Sequence, residues 1–357
     1  MLFAFLALFS LCCTTTTMGE EPATPALPDG GLLFSGKRDN QWDLYVWQPR
    51  PSGDAVYALT HTSQAEGNPV YWSRHNLFLC STAREDGRFV LAAYTKNGSE
   101  AWSIELPDAS LGWPQPSPWD DRILAVREDP QTGMTAPGIV NYPDGGFEPF
   151  PEADFPGGQP IWVNPDQVLI SRVRGQEFDL CLRRLSTGAE ETLVSGGKNW
   201  LSAASPVGGE PFFFTRRVGQ ASSIFRLTQG AADRPLFHDN AKKDTHSQGT
   251  TGLTSISMLS DRFSASPVFE TNPSFVAGWS YDDFTASRLY DWQPSVTPDG
   301  CGLIYLSLRE GHFRVVYRSL QAPGERIISL PGFEQVFHPT WIPVSGLSVP
   351  GLSVPEK

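Results

Sequence analysis

The chain has 357 residues and a net charge of −12; only 18% of residues are charged, while Gly (33), Pro (31) and aromatics (12%) are abundant. No basic stripe offsets that charge, since Arg172/Arg174 and Arg216/Arg217 are short pairs, so binding to DNA, RNA or an anionic membrane surface is excluded. So much glycine and proline disfavours long helices and suits a β-rich fold with many tight turns.

The N-terminus, "MLFAFLALFSLCCTTTTMGEEPATP", has no charged side chain before Glu20. Leu2 to Leu11 is an apolar run too short to span a bilayer but right for the core of a signal peptide, although no Lys or Arg precedes it. Residues 1–30 are therefore read as a signal peptide and polar tether. Cys12 and Cys13 stand where an exported lipoprotein carries its lipidated cysteine, but the residues before them are not the small ones that such a site uses. The alternative is that both leave with the signal. Cys80, Cys181 and Cys301 would remain, an odd number too widely spaced for a disulfide framework. No CxxC, HExxH or close His/Cys cluster is present, so neither a metal site nor a cofactor is predicted.

From residue 31 a unit recurs: a proline, a turn, an apolar run, an Arg-x-Gly region, then a second apolar run closed by an aromatic. "GLLFSGKRDNQWDLYVWQPRPSGDAVYALTH" (31–61) holds the later strands of such a unit without its opening. Fuller copies run Pro69–Tyr94, Pro116–Asp129, Pro160–Leu182, Pro206–Leu227 and Pro294–Tyr317, and "HPTWIP" supplies one more opening near the C-terminus. The openings at Pro69, Pro116, Pro160, Pro206, Pro294 and Pro339 lie 47, 44, 46, 88 and 45 residues apart. A period near 45 residues with several short strands is the size of a four-stranded propeller blade. The doubled spacing predicts a degenerate copy inside 230–293, with Pro267 as its opening. The prediction is thus an all-β protein, a single propeller over 31–343 with seven four-stranded blades, or six if 230–266 is a long insertion. A C-terminal strand would pair with the N-terminal strands to remove free sheet edges. Residues 344–357, ending in the tandem "GLSVPGLSVP", read as a flexible tail.

The stretches "FSGKRDNQWDLYVW", "LTH", "NPVYW" and "PSVTPDG" resemble the repeats of TolB-type propellers. The resemblance covers about residues 31–343. It implies an exported or envelope-associated protein, often protein-binding, and it carries a fold rather than a site. The α/β domain that accompanies the propeller in TolB has no counterpart in the sequence.

Candidate chemistry is weighed against plain structural use. "AGWSYDDF" (277–284) resembles the nucleophile elbow of peptidases with related propellers, but Asp282 replaces its last Gly, so Ser280 is read as a strand residue. Arg38, Arg84, Arg172, Arg216 and Arg309 recur at equivalent places. They would pair with Asp or Glu in the same or the next blade or, as a binding ring, meet an anionic ligand or acidic segment at one channel mouth. Trp72, Trp119, Trp162 and Trp341 at the openings are expected in the core. Trp113, Trp200 and Trp292 precede openings, on candidate loops where they could anchor a protein or stack on sugar. The six His residues are scattered and are read as solvated loop residues. A specific site is expected where the repeat fails, between 230 and 293. The reading is a monomeric, non-enzymatic, envelope-located scaffold that binds a protein partner, touching the membrane only through an N-terminal lipid. A carbohydrate-binding or carbohydrate-active propeller using the central channel is the alternative.

Overall fold

The computed structural model describes residues 24–347, apart from 52, 152–158, 176, 206–208, 219–220, 230–278 and 288–289. The N-terminal leader with Cys12 and Cys13, and the tail beyond 347, lie outside the described residues.

Among the described residues there are 24 strands, which follow one another as short antiparallel hairpins. β1 (Gly31–Arg38), β2 (Gln41–Gln48) and β3 (Ala55–Ala58) open the chain. β4 (Glu66–Trp72), β5 (Leu77–Ala83), β6 (Phe89–Tyr94) and β7 (Glu100–Ile104) make one four-stranded sheet. β8 (Ser110–Pro116), β9 (Arg122–Glu128), β10 (Thr135–Asn141) and β11 (Gly146–Pro149) make the next. Then come β12 (Ile161–Asn164), β13 (Gln167–Arg174), β14 (Glu177–Arg184) and β15 (Glu190–Val194). They are followed by β16 (Lys198–Ala203), β17 (Phe212–Val218), β18 (Ala221–Gln229) and β19 (Trp279–Asp283). β20 (Asp291–Val296), β21 (Gly302–Arg309), β22 (His312–Ser319) and β23 (Glu325–Ile328) form another sheet. The last strand, β24 (Gln335–Ile342), returns to pair with β1, so the first sheet is built from both ends of the chain.

The topology corrects the predicted seven blades. Four sheets are separate four-stranded blades, and β12–β19 form one eight-stranded sheet. Its two halves are joined by the single parallel pair Phe178↔Lys198, so it consists of two four-stranded units and no seventh is found among the described residues. Of the stretch assigned to a degenerate blade, Trp279–Asp283 is instead the outer strand of the fifth unit, because it pairs with Phe225–Gln229. Residues 230–278, with Pro267, fall between these two paired strands and lie outside the described residues.

Apolar clusters lie between successive units. Leu303 and Tyr305 of β21 face the fifth unit with Phe213 and Ile224, while Ile304 and Leu306 face the first with Phe34 and Tyr45. A strand sandwiched between two sheets buries both faces, which is why "LIYL" need not alternate with polar residues. Leu33 and Val46 meet Phe78 and Ala92 in the same way, and Leu124 meets Trp162 and Ile170. Burying each such side chain fully stabilises the fold by about 1.5–3 kcal/mol. Leu347, beyond the predicted domain end, is buried in the cluster between the first two sheets, held by the short 3-10 turn Val344–Leu347.

The turns do what their residues suggest. In "TPDG" the Asp299 carboxylate accepts from Cys301 N at 2.9 Å and Gly300 takes φ 69°. Asp43 and Asp179 occupy matching places in "WDLY" and "FDLC"; each is buried and accepts a backbone N–H from the loop leading to the next unit, from Thr62 and Gly196 respectively.

Candidate functional site

The innermost strands share a local distortion. The ladders of β4, β8, β20 and β24 with their neighbours each break their register at a bulge. At each bulge the residue before a proline adopts a left-handed backbone: Asn68 (φ 53°), Trp113 (φ 58°), Gln293 (φ 53°) and His338 (φ 51°). Such conformations are costly for side chains this large, on the order of 1–3 kcal/mol each, and bulges re-aim side chains. The proline suits the position because its missing N–H would find no ladder partner there.

Three of these side chains converge. The Gln293 Nε2 donates to His338 Nε2 at 2.9 Å, and the His338 backbone N–H donates to Gln293 Oε1 at 2.8 Å. The Trp113 ring meets the His338 ring edge-on at 5.2 Å. Trp113 belongs to the third unit and His338 to the first, so their contact skips a neighbour and places the cluster on the central axis. Beside it, Ser81 Oγ accepts from both Trp113 N and Asn68 Nδ2, each at 3.2 Å.

The cluster is uncharged. Burial pushes the His338 pKa down to about 3, so the ring is neutral at physiological pH. Because Nε2 accepts from Gln293, the ring proton sits on Nδ1. That Nδ1–H is buried and has no partner among the described residues; neither has the buried Asn68 Oδ1. An unmet buried donor or acceptor costs about 1–3 kcal/mol.

Close to Asn68 on the same strand, Glu66 is 2% exposed and accepts hydrogen bonds from Thr60 Oγ1 at 3.1 Å and from Thr62 Oγ1. Burial raises its pKa to about 7, opposed by these hydroxyls and reinforced by Asp43.

Most predicted site residues are employed elsewhere. Arg309 makes a two-point contact with Glu325 at 2.5 and 3.0 Å, Arg172 pairs with Glu190, and Arg84 donates to Gln64 at 3.0 Å. Arg38 bonds Gly332 O and lies over the Phe333 ring at 4.5 Å; Arg216 donates to the Tyr281 hydroxyl at 2.8 Å. Each of these contacts stays within one unit. Trp113, Trp200 and Trp292 are not on loops: they lie in β8, β16 and β20. Trp200 meets Phe178 at 5.9 Å, and Trp292 packs on Phe313 and Phe337. Trp113 alone of the three joins the axial cluster. His338, expected on a solvated loop, is its centre. Trp119 sits past the end of β8, because the bulge makes Pro114 rather than Pro116 the equivalent opening, and it packs half-buried against the core cluster of Leu124, Trp162 and Ile170. Ser280 is a buried residue of β19 whose hydroxyl lies 3.0 Å from that of Thr228.

No protein-family model matches the chain, and no curated protein sequence matches it either. Solved structures do. TolB from Acinetobacter baumannii superposes with a TM-score of 0.60 at 11% identity, over 88% of this chain and 67% of that one. A TolB of Agrobacterium tumefaciens gives 0.53 at 15% identity, over 84% and 88%. The fold is that of a TolB-like β-propeller. A puromycin hydrolase also superposes, with a TM-score of 0.50 at 17% identity, over 87% of this chain and 46% of that one.

Proposed function

We propose that this TolB-like propeller is an exported, non-enzymatic scaffold that binds a partner protein at the cell envelope through the disc face around its axis. Six four-stranded units would form one ring, sealed by β24, with lipid on Cys12 or Cys13 as the tether. The observation that carries this reading is the axial cluster: an indole, an imidazole and two carboxamides, uncharged, with an unmet N–H donor at His338 and an unmet acceptor at Asn68. A peptide group presents the complementary pair, C=O and N–H. Strained backbone at four repeated positions is a cost that recognition would justify. The resemblance to TolB-type repeats supports the same choice.

The test is affinity capture from envelope extract with three versions of the chain. Wild type and Arg309→Ala should retain the same defined partner, and Trp113→Ala should lose it. Equal retention by wild type and Trp113→Ala would remove the axial face from the account.

A further inference from the structure

A second concavity lies away from the axis. It has a volume of about 640 Å3, within the usual range of roughly 300–1,000 Å3 for small-molecule sites. It is formed where the β12–β13 and β16–β17 turns approach each other, next to the ends of β14 and β18. Gly209 N reaches Val163 O at 3.4 Å and ties the two units together there.

Two indoles line it, Trp119 from the third unit and Trp279 from the fifth. Trp279 is backed by Phe212 at 6.2 Å and Trp119 by Trp162 at 6.3 Å, so each ring is held by a buried aromatic. Polar groups of both kinds stand beside them. Gln167 Oε1 accepts from Asn164 Nδ2 at 2.6 Å, which fixes the amide and leaves its Nε2 as a donor. Arg184 meets Asp166 only at 4.0 Å, with both side chains about half exposed, a pairing worth little. Glu210 Oε1 accepts from Gln229 N at 2.6 Å, leaving its second oxygen. Glu191 adds a carboxylate that has no ion pair among the described residues.

Charge decides the class of ligand. A cation attracted to the indoles and carboxylates would face Arg184. An anion attracted to Arg184 would face Glu191 and Glu210. A neutral ring rich in hydroxyls uses donors and acceptors alike, and its C–H faces suit the indoles. We propose that this cavity is a binding site for a neutral glycan, seating one or two pyranose rings between Trp119 and Trp279. The site is separate from the axial cluster and does not depend on the scaffold reading.

The experiment titrates the full chain with maltose, cellobiose and N,N′-diacetylchitobiose, following tryptophan fluorescence and saturation-transfer NMR. Choline and glucose 6-phosphate serve as the cationic and anionic probes. At least one disaccharide should bind with a Kd on the order of 0.1–5 mM. Trp279→Ala should weaken it tenfold or more, Glu191→Ala several-fold, and Arg309→Ala, in another unit, not at all. Glu191 is on an outer strand, so its variant keeps the test valid if Trp279→Ala does not fold. Failure of all three disaccharides, tighter binding of either charged probe, or unchanged affinity in Glu191→Ala would overturn the proposal.

Discussion

Gln293 and His338, on inner strands of neighbouring sheets, are locked together by two hydrogen bonds of 2.9 and 2.8 Å, one through each end of the same carboxamide. The pairing fixes the amide orientation, the imidazole tautomer and the charge of the ring at once. A protonated His338 would lose its acceptor at Nε2 and bury a cation.

The pH dependence follows in sign. Folded His338 has its pKa pushed down to about 3, below the ordinary 6.5. Its contribution is complete above pH 6.5 and is lost as pH falls towards 3, where the unfolded chain binds a proton that the fold refuses. His338→Gln should flatten that acid-side loss. Urea midpoints between pH 3.5 and 7, roughly the span between the two values, measure it. Equal acid sensitivity in both proteins would remove the buried neutral imidazole from the account.

Glu66 works in the opposite direction. Its folded pKa is about 7, above the ordinary 4.5, because burial disfavours the carboxylate. The folded state holds this proton more tightly, so stability is greatest below pH 4.5 and falls as pH rises through 7. Glu66→Gln should be the more stable protein at pH 8, by on the order of 1–3 kcal/mol, and should lose the advantage at pH 5. A constant difference at both pH values would contradict this.

Much of the architecture was legible from sequence, for identifiable reasons. The opening proline, the Asp299–Gly300 turn and apolar runs such as "LIYL" recur because every unit packs on both neighbours. The number of units was not legible, because 49 residues separate Gln229 from its pairing partner Trp279. A spacing twice the period looks the same whether it holds a weak blade or an insertion inside a hairpin. Of the axial residues only Trp113 was singled out, although one signal marks all four: each immediately precedes a proline, at Asn68-Pro69, Trp113-Pro114, Gln293-Pro294 and His338-Pro339. That signal lies where the repeat is most regular, since a bulge repeated in several inner strands aims several side chains at one axis; most of 230–293, where a site was expected, lies outside the described residues. The arginines were conspicuous for the opposite reason, being blade residues that recur without converging.

Arg309 tests that distinction. It and Glu325 are each about one-third exposed, so solvent screens the pair despite its two-point geometry. Arg309→Ala should cost about 1 kcal/mol or less in a denaturant titration. A loss above about 3 kcal/mol would mean that the pair holds more than its own blade.

Trp341 tests how the last strand is held. It is 2% exposed, and it meets Trp47 in its own sheet and Tyr317 in the neighbouring one at 6.2 and 6.4 Å. Trp341→Ala should destabilise the protein by about 3–5 kcal/mol in the same titration, with a single cooperative transition. A loss under about 1 kcal/mol would show that β24 packs loosely on β1.

Recognition through the axis is tested most directly by photo-crosslinking. A photoreactive aromatic amino acid, which keeps a ring at the position, would replace Trp113 at the axis or, as a control, Ile327 on an outer strand, where half the side chain is exposed. Illumination in envelope extract should give one discrete crosslinked protein from position 113 and none from position 327. Equal labelling from both positions, or none from 113 while the chain substituted there still captures its partner, would contradict an axial binding face.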